Sequence, residues 1–315
     1  MKDQASVEEL PPAPPETARQ KLTFWQYQMV WSAAAALPGP IADRAPKRIG
    51  RAWFAAASAK QAKQVRENIA RIAGHPGQAE VERLSRLAFE SYARYWIDAF
   101  RLHKMNGADV VAQSTGENLE VMDDLLADGK GAIMATGHIG SWDVGAFFTT
   151  QRNWGMVVVA EVLEPRRLFT KFVDLRRAAG LDVIPLVRGG NMVDRLVEVV
   201  ERGGLATLLA DRDLGRKGPV VEFFGEPCRL PPGTSILARK TKRPVCIGGF
   251  VTNGPSYHGV IQEPVDISHL SVEAGTQVVA HELEKLIGRY PEQWHVFVRN
   301  WLVDREPEHP ALRAG

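Results

Sequence analysis

The residues best suited to chemistry lie in one short segment, residues 136–143, with the sequence Thr-Gly-His-Ile-Gly-Ser-Trp-Asp. It places His138 five positions before Asp143. If the segment turns into a helix, a carboxylate at that offset reaches one imidazole nitrogen and stabilises the imidazolium once the other nitrogen has taken a proton. Gly137 and Gly140 permit such a turn. The segment predicts a general base; the alternative interpretation is a packed histidine beside a helix-start carboxylate.

The elements around this segment predict an α/β fold with a mainly parallel central sheet flanked by helices. Apolar runs typical of buried strands occur at 131–136, 156–162, 181–186, 205–210 and 245–251. Helical patterns occur at 118–128, 166–179, 191–202 and 272–290. Strands that alternate with helices form parallel sheets, whose active sites lie at the carboxyl ends of the strands. His138 directly follows the first of these strands, so we expect the active site there.

The composition divides the chain into four parts. Residues 1–20 are predicted to form a disordered leader, because four prolines lie within 11–15 and no apolar period appears. Residues 21–106 are predicted to be a helical, membrane-interacting region, and 107–305 the α/β core. Residues 306–315 are a short tail.

The membrane prediction rests on two neighbouring features. Aromatic and aliphatic side chains are dense at 24–31, and eight basic residues lie within 44–71 against Glu67 alone. This composition is typical of a helix at the surface of an anionic membrane, although core packing and a solvated helix face are alternatives. No run reaches the ~20 apolar residues of a spanning helix, and the acidic start is unlike a signal peptide. We expect a peripheral protein on the cytoplasmic face of the plasma membrane.

Other partners are not indicated. A net charge of +2 gives no reason to expect nucleic acid binding. Neither Cys228 and Cys246 nor the scattered histidines at 258, 269 and 281 have the spacing of metal ligands, so we expect no metal site. Ser141 lacks the Gly-x-Ser-x-Gly pattern of a hydrolase nucleophile.

The segment from His138 to Asp143 resembles the signature of glycerolipid and glycolipid acyltransferases. The chain is similar, over about residues 22–304, to one branch of the lysophospholipid-acyltransferase-like superfamily. That branch includes lipid A late acyltransferases and actinobacterial phosphatidylinositol mannoside acyltransferases. Four further stretches carry the likeness, at 91–102, 210–214, 221–227 and 291–295. The first and last of these favour the mannoside enzymes over the lipid A enzymes.

The resemblance implies roles for particular residues. His138 is expected to take the proton of the acceptor hydroxyl, and either Asp143 or Glu222 is expected to be its carboxylate partner. Backbone N–H groups near Gly140 or at the start of the next helix are expected to stabilise the oxyanion. The expected substrate-binding residues, with Arg212 a candidate phosphate ligand, are Ser141, Glu161, Arg176, Asp211, Arg212 and Asp213.

The expected reaction is direct transfer of an acyl chain from acyl-CoA, a co-substrate, to a hydroxyl of a glycolipid, with no resident cofactor. A phosphatidylinositol mannoside is the leading acceptor; a lipid A precursor and a lysophospholipid are the alternatives. The sequence does not decide between acyl-CoA and an acyl carrier protein as donor. A thioester hydrolase using the same histidine, and a binding protein without turnover, are the competing interpretations.

Overall fold

Seven strands form the central sheet of this computed structural model, which describes residues 10, 12–187 and 189–313. The strands, numbered in chain order, are β1 (Ser114–Glu117), β2 (Ala132–Thr136), β3 (Met156–Glu161), β4 (Asp182–Leu186), β5 (Leu205–Leu209), β8 (Val245–Asn253) and β9 (Ser256–Ile261). Their order across the sheet is β1-β9-β8-β2-β5-β3-β4. A separate antiparallel hairpin consists of β6 (Val220–Phe223) and β7 (Glu226–Arg229).

The sheet is mainly parallel, as predicted. Every neighbouring pair in it is parallel except β8 and β9, which form an antiparallel hairpin. β2 is buried at every position, because helices cover both faces of the sheet. The five predicted apolar runs are confirmed as β2, β3, β4, β5 and β8.

The helices of the central and C-terminal regions flank this sheet. They are α5 (Gly107–Ala112), α6 (Leu119–Ala127), α7 (Trp142–Gln151), α8 (Arg166–Ala178), α9 (Met192–Glu201), α10 (Gly233–Thr241), α11 (Val272–Arg289) and α12 (Leu302–Arg305). Short 3₁₀ helices in the described part of the chain occupy Leu102–Lys104, Pro291–Gln293 and Pro310–Arg313. The four predicted helices correspond to α6, α8, α9 and α11.

The N-terminal region of the described chain contains the helices α1 (Ala18–Ala36), α2 (Gly39–Ala56), α3 (Ala59–Ile72) and α4 (Gln78–Arg101). A capping box fixes the start of α1, since Thr17 Oγ1 accepts from the Gln20 N–H and the Gln20 side chain accepts from the Thr17 N–H. α4 packs against α1, α2 and α3 and also against α7 and the 3₁₀ helix Pro291–Gln293, so it joins the N-terminal helices to elements that adjoin the sheet. Within the described helices, none combines the length and the apolar character needed to cross a bilayer.

α1 begins at Ala18, three residues before the predicted start of the helical region at residue 21. Residues 1–9 and 11 lie outside the described residues, so disorder there stays a prediction. The division into a membrane-interacting region, a core and a tail also stays a prediction.

Candidate active site

His138 lies on the loop that joins β2 to α7, at the carboxyl end of the sheet. Hydrogen bonds fix this loop: the N–H of Gly140 donates to the Gln293 carbonyl (2.9 Å) and that of Ser141 to the Phe250 carbonyl (2.8 Å). Gly140 has φ +60°, and a Cβ there would lie 2.2 Å from the Phe250 carbonyl oxygen. Glycine is therefore required, both for the left-handed backbone and for the close approach of β8.

The side chain that partners His138 is the carboxylate of Asp211. His138 Nδ1 lies 2.8 Å from Asp211 Oδ1, and the backbone N–H of His138 donates to Oδ2, also at 2.8 Å. β2 and β5 are parallel neighbours, with Thr136 opposite Leu209 at their last positions. His138 and Asp211 each stand two positions beyond these strand ends. The register of the sheet therefore brings the two side chains together.

Asp211 is completely buried, and its carboxylate also accepts a hydrogen bond from Trp294 Nε1 at 2.7 Å. Burial raises the pKa of Asp211, but the imidazole of His138 and the hydrogen bonds outweigh burial, so the pKa lies below its ordinary value. A carboxylate anion only accepts hydrogen bonds, so we assign the His138 proton to Nδ1. Nε2 then carries the lone pair of a base and has no protein partner among the described residues.

A cavity of about 640 Å³ opens beside His138. Most of its lining is apolar and comes from α7 and the strands facing it, including Met134, Phe148, Met156 and Ile261. The lining extends from His138, at the carboxyl ends of the strands, to Met156 at the start of β3. The cavity thus follows the length of the strands, and its volume is in the range of small-molecule sites.

Four of the predicted substrate-binding residues line this cavity: Glu161, Arg176, Arg212 and Asp213. The carboxylate of Asp213 accepts from the N–H groups of Gly215 (2.9 Å) and Gly218 (2.7 Å), which fixes the loop after β5. Arg212 forms no hydrogen bond or ion pair within the described part of the chain. Its guanidinium is therefore open to an anionic group of a substrate.

The expected pairing of His138 with Asp143 is wrong. Asp143 lies in the first turn of α7, where its carboxylate accepts from Arg176 Nε (2.7 Å) and from the Tyr95 hydroxyl (2.9 Å). Arg176 belongs to α8 and Tyr95 to α4, so the buried Asp143 ties α7 to both helices. The five-residue spacing failed because the first turn of α7 directs Asp143 toward these helices and away from β5. Asp143 supports the loop of His138 through the position of α7.

The positions of Glu222 and Ser141 in the structure also differ from those that their predicted roles require. Glu222 is exposed on β6, where its backbone N–H donates to Gln277 Oε1 (2.8 Å), and it is not a partner of His138. Ser141 is 1 % exposed, and its hydroxyl donates to Asp98 Oδ2 (3.0 Å). Neither residue lines the cavity. Ser141 is a link between the loop of His138 and α4, and not a substrate contact.

One of the two predicted sources of oxyanion stabilisation is excluded. The N–H groups of residues 138, 139, 140 and 141 all donate to acceptors within the protein. The donors near Gly140 are therefore already engaged. The N–H groups at the start of α7 stay a prediction.

Sequence reasoning missed the segment 293–296 as part of the site. Ile139 and Trp294 form an antiparallel bridge, and the N–H of His295 donates to the His138 carbonyl at 2.8 Å. Asn300 Nδ2 donates to the Asp211 carbonyl at 3.0 Å. In the sequence, residues 291–295 are distinguished only by the family resemblance. Nothing local in the sequence indicates that this segment pairs with a loop some 150 positions earlier.

His295 makes the stability of the fold depend on pH. Its ring is 5 % exposed and stacks on Tyr92 with ring centroids 4.8 Å apart. Burial, with a smaller effect of the neighbouring His138, lowers the pKa of His295 from 6.5 to about 3. The unfolded chain therefore binds a proton that the folded chain does not, between pH 6.5 and about 3, and this destabilises the fold as the pH falls through that range.

We expect His295 to contribute up to ~1.4 kcal/mol per pH unit to this loss. His295→Phe retains an aromatic ring and removes the titration, so its stability depends less on pH. Urea unfolding followed by circular dichroism at several values between pH 4 and 8 measures the difference. Parallel curves for the wild type and the variant over this range contradict the prediction.

The site and fold together define a class of protein: an α/β enzyme with a histidine–carboxylate pair at the mouth of an apolar cavity. Residues 16–303 match the sequence model of the family described as bacterial lipid A biosynthesis acyltransferase. The chain belongs to this family and is an acyltransferase.

Its relatives include phosphatidylinositol mannoside acyltransferases. The chain is 34 % identical over 298 residues to one from Mycobacterium tuberculosis (strain CDC 1551), which covers 94 % of this chain and 93 % of the relative. It is 32 % identical over 297 residues to one from Mycolicibacterium smegmatis, covering 92 % and 95 % of the two chains. The resemblance to this branch, drawn from motifs alone, is confirmed.

Proposed function

We propose that this enzyme transfers a fatty acyl chain from acyl-CoA to a sugar hydroxyl of a phosphatidylinositol mannoside, with His138 as general base. The observation that carries the proposal is the contact between His138 and the buried Asp211 at the mouth of an apolar cavity. The names of the mycobacterial relatives support the choice of acceptor.

In the proposed mechanism Nε2 of His138 takes the proton of the acceptor hydroxyl as its oxygen attacks the thioester carbonyl. Asp211 holds Nδ1–H and stabilises the imidazolium that forms. The tetrahedral intermediate then collapses, the C–S bond breaks, and Nε2 returns the proton to the leaving thiolate. An ester and free CoA result, and no serine or cysteine nucleophile takes part. A positioned base of this kind typically contributes ~10²–10⁴-fold to the rate.

The cavity is suited to bind the fatty acyl chain of the donor in this mechanism. Its apolar walls between α7 and the sheet suit a hydrocarbon chain, which gains free energy by leaving water. With the chain in the cavity, the thioester lies near His138, and the remainder of the donor extends to the polar mouth. Arg212 at this mouth is the proposed contact for a phosphate group of donor or acceptor.

The exposed face of α1 and the start of α2 support a peripheral location on an anionic membrane. Five apolar side chains on these helices are more than half exposed: Leu22, Trp25, Met29, Val30 and Ile41. The exposed basic residues Arg44, Lys47 and Arg48 lie within α2, in the turns that follow Ile41. We place this face on the cytoplasmic leaflet, where apolar side chains enter the interface and basic ones meet acidic headgroups.

We expect Trp25→Glu combined with Met29→Glu to weaken binding to anionic vesicles by at least about tenfold, because two apolar contacts become charged. Val111→Glu is the matched control, since Val111 is also an exposed apolar residue but lies on α5. Flotation with vesicles containing phosphatidylinositol measures the bound fraction. Equal binding of the double variant and the control would show that this face is not the membrane contact.

The choice of substrates is tested by incubating the protein with liposomes, palmitoyl-CoA and a panel of acceptors. Mass spectrometry follows the acylated lipid. An acylated phosphatidylinositol mannoside is the expected product, and an acyl carrier protein thioester is run as the alternative donor. Preferential acylation of a lipid A precursor or a lysophospholipid would replace the proposed acceptor. Free fatty acid without acylated lipid would indicate a hydrolase.

A further inference from the structure

The carboxylate of Asp211 accepts a hydrogen bond from Trp294, a residue that has no role in the mechanism proposed above. Trp294 Nε1 donates to Oδ2, the same oxygen that accepts the backbone N–H of His138. The indole is 1 % exposed and does not line the cavity, so it touches neither the acyl chain nor the acceptor site. The one polar atom of the indole, Nε1, donates its hydrogen bond to Asp211, the partner of His138.

The backbone holds Trp294 firmly in this position. The residue pairs with Ile139 across the antiparallel bridge, and its neighbour His295 donates to the His138 carbonyl. The side chain of Asn68 on α3 also holds the residues that follow Trp294, because its Nδ2 donates to the carbonyls of Val296 (2.7 Å) and Val298 (3.0 Å). The indole is thus fixed relative to both members of the His138–Asp211 pair.

We propose that Trp294 is a positioning residue that orients the Asp211 carboxylate and limits the negative charge it presents to His138. This inference rests on the proposed function of the pair. A donor on Oδ2 withdraws charge from Oδ1, and Oδ1 is the atom that holds Nδ1–H. Removal of the indole N–H leaves more charge on Oδ1 and a less constrained carboxylate. His138 then keeps its proton to higher pH, and a smaller fraction of the enzyme–substrate complexes has the geometry needed for reaction.

Other charged or titratable groups lie near this pair on the elements packed around it. They are His295 on the same segment, Cys228 on β7, Arg212 and Asp213 on the loop after β5, and Tyr92 and Tyr95 on α4. None is replaced in the variants below. A change in pH dependence that is specific to position 294 therefore reports on the indole N–H.

Trp301 provides a matched control within the same cluster. It is also fully buried, its ring centroid lies 5.9 Å from that of Trp294, and its Nε1 donates at 2.8 Å to the Phe223 carbonyl. Trp301→Phe therefore removes the same group and a similar volume from the same core. Its acceptor is a backbone carbonyl instead of the Asp211 carboxylate, so its loss does not change the charge facing His138.

The test compares Trp294→Phe and Trp301→Phe in the full chain, with palmitoyl-CoA and phosphatidylinositol mannoside in vesicles. For Trp294→Phe we expect kcat to fall about tenfold, KM for both substrates to stay within about twofold, and the acid limb of the profile of kcat/KM to move up by about half to one pH unit. Trp301→Phe leaves the acid limb unchanged. Equal pH profiles for the two variants would overturn the proposal.

A second readout needs no turnover, so it separates this inference from the proposed function. Nitrogen NMR of the histidine-labelled protein follows the imidazole of His138 as the pH changes, and the titration midpoint rises in Trp294→Phe but not in Trp301→Phe. If Trp294→Phe does not fold, replacement of the indole at 294 by benzothiophene keeps the ring and removes the N–H. An unchanged His138 titration in that protein overturns the proposal, whatever the activity.

Discussion

Replacing His138 by alanine lowers the rate of acyl transfer by about 10²- to 10⁴-fold. The substitution removes the group that takes the hydroxyl proton, and no other imidazole lines the cavity within the described residues. The measurement is the initial rate of acylated lipid formation at saturating donor. Circular dichroism checks that the variant is folded, because the buried carboxylate of Asp211 loses the hydrogen bond from the His138 side chain.

His281→Ala serves as the control, since this histidine lies on the exposed face of α11 with a side chain that is 65 % accessible. It is expected to retain the full rate. A folded His138→Ala protein that keeps more than about a tenth of the wild-type rate would remove the general base from the mechanism.

Asp211→Asn is expected to lower kcat by about 10²- to 10⁴-fold, whereas Glu222→Gln leaves it within about twofold. Asparagine has the shape of aspartate but no charge, so it neither holds the Nδ1–H tautomer reliably nor stabilises the imidazolium. Glu222 is exposed on the hairpin of β6 and β7 and does not line the cavity. The sequence predicts Glu222 as a candidate partner of His138 and Asp211 as a substrate-binding residue, whereas the structure pairs Asp211 with His138, and this pair of variants tests that assignment.

The readout for this pair is kcat with both substrates saturating, alongside the thermal midpoint of each protein. Loss of activity in Glu222→Gln with normal rates in Asp211→Asn would contradict the assignment of the dyad. Equal loss in both, with unchanged midpoints, would indicate that the hairpin contacts the substrate.

The buried half of the sheet could be predicted because each strand there is a continuous apolar run. β2 and β5, at the centre, show this pattern most clearly. β1 was missed because its sequence, Ser-Thr-Gly-Glu, is polar and partly exposed at the edge of the sheet. The hairpin of β6 and β7 was also missed, since it consists of two four-residue strands joined by a turn with positive φ at Phe224 and Gly225.

The site was predictable where it is local in sequence and not where it depends on strand order. His138 was identified from its own loop and from the strand before it. Its partner Asp211 lies 73 positions later, and the contact requires β5 to lie beside β2, with β3 and β4 on the far side of β5. A sequence pattern does not specify that order. Asp143 is a candidate by sequence because it is near His138, but the first turn of α7 directs it toward Arg176.

In the proposed mechanism the acyl chain passes directly from the thioester to the acceptor, His138 transfers the proton, and Asp211 orients the imidazole. Rapid-quench measurement of thiol release from palmitoyl-CoA, with and without acceptor, tests it most directly. Intact mass of the protein is taken from the same samples. Direct transfer predicts thiol release that requires the acceptor, one acylated lipid for each thiol, and no gain in protein mass. A burst of thiol equal to the enzyme concentration without acceptor, with one acyl group bound to the protein, would contradict it.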